Sequence, residues 1–458
     1  MTDVTMAGSL KGPDDESEGM FWHPETPFRK ARGRLFLIRS QKPDLRLSSP
    51  IVTKPEITDS SEHYESVAAS RFIKEDVAAY QPMTLHGELE DGTAVTALYA
   101  QGGSDPAFEF VEQRYGCRFV ILGAHLPGPK QLYDNMRFQM RGIPYAAQTD
   151  LADTVPENSC LVVDIDEDTA WLRYQPQRPG VLQEVVNAGV SGCLSLAALA
   201  TRVQPSVVRA QVRPEGSDVW VDVVSARLRE TLSWKASQLL PWSEVTVARL
   251  ARWIPISESF DGLEWGVISP PNGAVQVQLL TAASIVEGLH RRTNDRNQLS
   301  LSGKARERVI AAAKDAGRAA LQKEGVEDPE AGRRILGEAL GHFHELTFAQ
   351  RAREFVALAE EVLPELFVSL PGYADHLVRA RNQLAHHLPL KAAEQRETRI
   401  LRWAAISLSV PWLLRIVLLD KAGFPRDLIR NSFLSNEDFQ SHLVNTAQIA
   451  RDADWTPL

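Results

Sequence analysis

Cysteine is scarce in this chain: Cys117, Cys160 and Cys193 are the only three in 458 residues. They are too scattered for a disulfide framework and lack metal-ligand spacing, so a reducing cytoplasm is the expected compartment. The opening residues carry neither the basic start nor the apolar core of a secretory signal. Uninterrupted hydrophobic runs are also missing. The longest apolar stretch, Ala404 to Leu419, contains Pro411 and Arg415. That argues against a membrane partner and for a buried helix kinked at the proline. Excess positive charge is absent too: the net charge is −9 and the pI about 5.7. Non-specific coating of nucleic acid needs many Lys and Arg contacts, so the charge weighs against it while leaving room for a small basic site on an acidic body.

Several catalytic signatures fail at a specific letter. Ser302-Gly303-Lys304-Ala305 lacks the leading glycine and the hydroxyl of a phosphate loop, and no G-x-S-x-G elbow occurs. His344-Glu345 begins like a zinc-protease helix, but Phe348 stands where the second histidine belongs. Asp164-Ile165-Asp166-Glu167-Asp168 starts like a calcium loop, yet Thr169 replaces its glycine and Gln175 its last acid. Asp164 and Asp166 sharing a strand face around magnesium is the weaker alternative to an acidic turn there. Trp22, Trp171, Trp220 and Trp242 read as core or rim residues, because no basic residues interleave with them in sequence. No cofactor and no metal are expected.

What is present divides the chain. At 458 residues, with 44% hydrophobic and 24% charged, it is a globular protein of two or three domains. Residues 1–19, small, polar and acidic, read as a disordered tail. Residues 20–271 read as a mostly β domain, a sandwich or open barrel with helical insertions. Strands are expected at Gly33 to Ile38, Met83 to Glu88, Ala94 to Tyr99, Arg118 to Leu122, Cys160 to Ile165, Ser206 to Val212 and Val219 to Val224. Asp91-Gly92 and Pro214-Glu215-Gly216 supply the turns. Helices are expected near Leu182 to Ala200 and Trp242 to Trp253. Ile268 to Gly273 is a strong breaker. Residues 272–458 then read as an all-α bundle, with helices over Val275 to Arg292, Ser302 to Lys323, Phe348 to Leu363, Tyr373 to His387 and Ala392 to Leu419. The fold class is therefore α+β multidomain.

Chemistry is concentrated at Arg381-Asn382-Gln383-Leu384-Ala385-His386, followed by His387. A histidine titrates near neutrality and can move a proton at a ribose hydroxyl. An arginine offers a planar fork to phosphate oxygens as they gain charge, and the asparagine can orient either partner. The surroundings are basic: His376 to Trp403 holds six Lys or Arg (Arg379, Arg381, Lys391, Arg396, Arg399, Arg402) against Glu394 and Glu397. The bland alternative is a helix end whose cations complement the dipole. A five-residue step turns about 140° on an α-helix, so Arg381 and His386 do not share a face. Either the helix is irregular there or a second chain completes the site. Arg296-Asn297-Gln298-Leu299 repeats the first letters but has Leu301 in the histidine's place and reads as a loop.

Arg-Asn-x-x-x-His in such a bundle resembles the HEPN superfamily of ribonucleases. Gly19-Met20-Phe21-Trp22-His23-Pro24, with Pro27 and Gly33, looks like the start of the N-terminal domain of ApeA-type anti-phage defence proteins. The hairpin around Gly87, Asp91-Gly92 and Thr93 to Leu98 resembles that domain's next block. Leu279 to Arg292, ending Glu287-Gly288-Leu289-His290-Arg291-Arg292, is similar to the first helix of an ApeA-like HEPN domain. The N-terminal likeness fades between Gln101 and Thr231. The resemblance implies a metal-independent endoribonuclease in prokaryotic defence, acting as a homodimer through its HEPN bundles and leaving 2′,3′-cyclic phosphates. By position Arg381 and His386 are the catalytic pair and Asn382 their support. His387 and Arg379 are auxiliary candidates, and the choice between His386 and His387 stays open. It implies an RNA substrate (transfer RNA fits a small basic cleft), a phage-derived or other trigger, and a sensing or restraining β-rich half. The rival reading is a non-catalytic dimerisation or binding module acting as an adaptor or sensor.

Overall fold

The computed structural model describes residues 14–38, 41–49, 51, 81–103, 113–141, 153–154, 160–166, 169–203, 205–228, 237–294, 301–325, 328–341, 345–385 and 395–457. They form two compact units. The first is Met1–Ser259 with Lys421–Pro425 and Asn436–Asp438, and the second is Phe260–Asp420 with Arg426–Ser435 and Phe439–Leu458. The change of unit falls at Phe260 rather than at the Ile268 to Gly273 breaker, because the helical pattern begins before that breaker.

The first unit opens with six strands: β1 (Asp14–Trp22), β2 (Ala31–Ile38), β3 (Asp44–Leu47), β4 (Met83–Leu89), β5 (Ala94–Gly103) and β6 (Gln113–Gly116). They pair antiparallel in the order β1-β2-β3-β6-β5-β4, and β4 returns to β1. The ring is closed, so the mostly β expectation holds and the barrel is neither open nor a sandwich. Closure removes the open edges of this six-stranded ring. Phe21, Leu35, Leu45, Leu85, Val95 and Tyr115 fill the interior. Burial pushes the Cys117 thiol up to about 12, which makes it an inert core residue. Gly87 lies opposite Phe21 in the β1–β4 register, and a Cβ there would run into the Phe21 ring.

Asp14–Trp22 being a strand corrects the expected tail over residues 1–19: its last six residues are barrel wall. The composition misled because Glu16 and Glu18 are outward-facing positions of that strand, paired across to β2. Glu16 pairs with Arg34 at 3.0 Å and Glu18 with Arg32 at 2.5 Å. The Asp91-Gly92 turn forms as expected, with Gly92 at φ 83° and the Asp91 carboxylate accepting the Thr93 N–H at 2.9 Å.

From β5 the sheet continues through β7 (Phe119–Leu122), β14 (Val221–Val224), β13 (Val207–Pro214), β8 (Leu132–Met140), β11 (Thr169–Gln175), β10 (Cys160–Asp166) and β9 (Asp153–Thr154). β12 (Gly180–Val181) pairs with β8. Helix α1 (Leu182–Thr201) contains a π turn over Val186–Ser191 and is buried throughout Gly192–Thr201. Helix α2 (Val247–Phe260), preceded by a 3-10 turn at Trp242–Glu244, packs on it: the Trp253 indole donates to Ser195 Oγ at 2.9 Å.

The second unit is helical: α3 (Trp265–Ile268), α4 (Val275–Thr293), α5 (Gly303–Lys323), α6 (Pro329–Leu340), α7 (Phe348–Val362), α8 (Tyr373–Ala385), α9 (Arg396–Lys421), α10 (Arg426–Ser435) and α11 (Glu437–Asp452). Ser302 caps α5 by accepting the Ala305 N–H at 3.3 Å. Thr347 and Gln350 make a capping box at the start of α7. Helices α4, α7 and α8 pack on one another, and α5 packs on α6. Helix α9 runs through Pro411 as one helix. Two helices, Leu182–Thr201 and Arg396–Lys421, are long and apolar enough to cross a bilayer by composition. In each, more than 70% of the apolar window is buried inside the protein, so core packing accounts for the hydropathy.

Candidate active site on helix α8

Helix α8 carries the Arg-Asn pair near its C-terminal end. Tyr373, His376, Leu377 and Ala380 form its buried stripe, and the Tyr373 hydroxyl donates to the Ile406 carbonyl of α9 at 3.0 Å. Arg381 is half-buried on another face. Its Nη1 donates to Asn382 Oδ1 at 3.2 Å, its Nη2 lies 3.8 Å from the Glu287 carboxylate of α4, and its guanidinium sits 5.3 Å from the Phe348 ring of α7. At 3.8 Å Glu287 is a charge partner rather than a hydrogen-bond acceptor. The aromatic and the acid hold the guanidinium from two sides. Asn382 and Arg381 are thus in direct contact. His386 and His387 lie outside the described residues, as does the copy at Arg296 to Leu299.

Glu287 also accepts from Arg291 at 3.0 Å, and Arg291 reaches Glu345 at 2.9 Å. Beneath it His290 is fully buried. Arg351 Nη1 approaches His290 Nδ1 at 3.3 Å, and His290 Nε2 lies 2.8 Å from the Glu354 carboxylate. An arginine can only donate, so Nδ1 accepts and Nε2 carries the proton toward Glu354. Arg351 is 4% exposed. Burial and the nearby Arg291 lower its pKa, while Glu287, Glu345 and Glu354 oppose that shift. Three arginines (Arg291, Arg351 and Arg381) and three glutamates (Glu287, Glu345 and Glu354) from the α4, α7 and α8 region thus interlock around the Arg-Asn pair. Sequence reading did not assign these roles. The Glu287–Arg291 spacing of four was the legible signal; Glu345, Arg351 and Glu354 gave none.

Arg379 does not join Arg381. Two residues turn an α-helix by about 200°, which sends the two side chains to opposite sides. Arg379 instead lines a shallow cleft with His376, Ala380, Gln383, Arg399, Arg402, Trp403 and Ile406.

The other sequence candidates resolve differently. Asp164 pairs with Arg173 at 3.3 Å and Asp166 with Arg137 at 2.9 Å, so both carboxylates are engaged. Among the described residues no group of three His, Cys, Asp or Glu is placed to hold a metal. The tertiary structure does interleave cations with the tryptophans: Arg137 lies 4.6 Å from both Trp171 and Trp220, with Arg209 and Arg213 flanking them. These arginines pair with Asp166, Asp222 and Asp134. The ladder therefore knits the sheet.

Taken together, the chain is a barrel-bearing β unit and a helical bundle with an arginine–amide pair set in a charged network. The family description Apea-like HEPN matches residues 280–428, which span α5 to α9 and most of α4. The chain carries an Apea-like HEPN domain, and at the family level such domains point to ribonuclease-like and anti-phage roles. No curated protein and no solved structure matches the chain.

Proposed function

We propose that this protein is a metal-independent endoribonuclease of prokaryotic anti-phage defence that cleaves cellular RNA, transfer RNA included, and arrests growth on infection. The observation that carries the reading is the Arg381–Asn382 pair on α8, inside the matched Apea-like HEPN segment. His386 moves the proton at the ribose 2′-hydroxyl or the leaving 5′-oxygen. Arg381 stabilises the charge that grows on the non-bridging oxygens, and Asn382 holds the arginine. Two chains pair through their HEPN bundles and bring two motifs into one cleft, which resolves the 140° mismatch between Arg381 and His386 on a single helix. The products are a 2′,3′-cyclic phosphate and a 5′-hydroxyl. The barrel-bearing unit senses the trigger or restrains the nuclease, and the protein acts in the cytoplasm.

The test is sequencing of RNA 5′-hydroxyl ends from cells expressing wild type or His386→Ala, with in vitro cleavage repeated in EDTA. New ends that depend on His386 and persist in EDTA are expected. Loss of cleavage in EDTA rejects the metal-free mechanism. Full cleavage by His386→Ala, with His387→Ala inactive, moves the catalytic role to His387. Absence of cleavage and of growth toxicity leaves the bundle as a non-catalytic dimerisation module.

A further inference from the structure

We propose that the cleft between α8 and α9 is a phosphate-binding subsite that takes a backbone phosphodiester of single-stranded RNA adjacent to the cleaved bond. It rests on the ribonuclease reading above and adds a second place where the substrate is held.

Arg379, Arg399 and Arg402 converge on this cleft, with Gln383 beside them. Among the described residues neither Arg379 nor Arg399 has a carboxylate partner within ion-pair distance. The nearest acid on α8, Asp375, is held by Arg353 at 2.7 Å. Arg399 Nε is buried with no hydrogen-bond acceptor, although buried donors are nearly always satisfied. The guanidinium lies 5.4 Å from the Trp403 ring, which limits its orientation. Arg402 is anchored by donating to the backbone carbonyls of Ala453 and Asp454 at 3.1 and 2.9 Å. His376 closes the floor: its Nε2 bonds the Thr456 carbonyl at 2.8 Å and its ring lies tilted against Trp455, centroids 4.1 Å apart. Burial first, then Arg402 and Arg379, lowers its pKa, so it stays neutral and leaves the charge to the arginines. The first turn of α9 lies at the positive end of that helix's dipole.

Arg379 and Arg399, neither with a carboxylate partner among the described residues, repel each other across the cleft, and an anion relieves that cost. A phosphodiester offers the non-bridging oxygens that guanidinium forks match. The cleft is shallow and has no open aromatic face for a base, which favours a backbone phosphate over a whole nucleotide. Arg379 and Gln383 bracket Arg381 along α8, so a strand passing the end of that helix meets both sides.

The experiment measures binding of the full-length protein to a fluorescein-labelled 2′-O-methyl RNA decamer, which has no free 2′-hydroxyl to react, by anisotropy over a salt series. Arg379→Gln and Arg399→Gln are each expected to weaken binding about tenfold and to reduce the slope of log K against log salt by about 0.7. Arg430→Gln, which removes an exposed arginine already paired with Glu365, leaves both unchanged. Unchanged slopes in both cleft variants, or no binding by wild type, overturn the proposal. If Arg399→Gln fails to fold, Arg379→Gln carries the test. Unchanged slopes alongside cleavage that depends on Arg381 remove this subsite and leave the ribonuclease reading standing.

Discussion

Replacing Arg381 by alanine separates a catalytic from a structural role for this residue by magnitude. Its anchors are modest. The 3.8 Å pair with Glu287 is partly solvated, with both side chains more than a quarter exposed, and such pairs contribute roughly 0–1 kcal/mol. The contact with Phe348 at 5.3 Å adds about 0.5–1 kcal/mol. The bond to Asn382 at 3.2 Å adds about 1 kcal/mol. The summed loss of these three contacts, roughly 1.5–3 kcal/mol, is small against the ~5–15 kcal/mol that holds an ordinary domain together. Removing a donor aimed at developing charge costs about 10²–10³ in rate, or ~2.7–4 kcal/mol at the transition state alone. Arg381→Ala is therefore expected to remain folded, melting only a few degrees lower, while single-turnover cleavage falls at least a hundredfold. Arg381→Lys keeps the charge without the planar fork and is expected to fall between. The assays are thermal denaturation followed by circular dichroism and time courses of 5′-hydroxyl end formation on an RNA substrate. Cleavage by Arg381→Ala within threefold of wild type, with the fold intact, refutes the catalytic assignment. Full activity of Arg381→Lys refutes the bidentate role.

Three further predictions follow from the same geometry. Glu287→Gln removes a counter-charge from Arg381 and Arg291: KM is expected to fall two- to fivefold through stronger phosphate attraction, and kcat about tenfold through looser orientation. Steady-state kinetics in which both parameters stay unchanged would falsify the positioning role. Burial pushes His442, packed against Trp412 and Phe439, down to about 4. Its unfolded value is about 6.5, so the unfolded chain takes up the proton first. The stability from neutral His442 is complete above about pH 6.5 and is lost as pH falls toward about 4, by roughly 3 kcal/mol in total. Urea denaturation at several pH values should show this slope, and His442→Gln should flatten it. Gly87→Ala drives a methyl group into the Phe21 ring inside the closed barrel; overpacking of this kind costs about 1–3 kcal/mol, and an unshifted melting temperature refutes the close approach.

Much of this protein was legible in the sequence for a simple reason: local patterns report local structure. The period-two alternation and the Asp-Gly turn located the hairpin of β4 and β5. Helical spacing and a serine cap located α5, and Arg381-Asn382 stood out because an asparagine late in a helix is costly unless it has work to do. The six-residue error at the start of β1 has the same origin, since solvent-facing acids look like a tail until their arginine partners on β2 are known. Closure of the barrel was beyond the sequence, because it depends on β4 pairing with both β5 and β1 across long separations. So was the network beside Arg381, where Glu287, Glu345 and Glu354 come from three segments and matter only through their arginines. The split of Arg379 from Arg381 rests on helix geometry that spacing alone implied but could not place. Composition and order of residues determined a β half, an α half and the Arg-Asn pair. Only the tertiary structure decided which charges meet, because an ion pair or a shared cleft depends on distances between segments that no local pattern records.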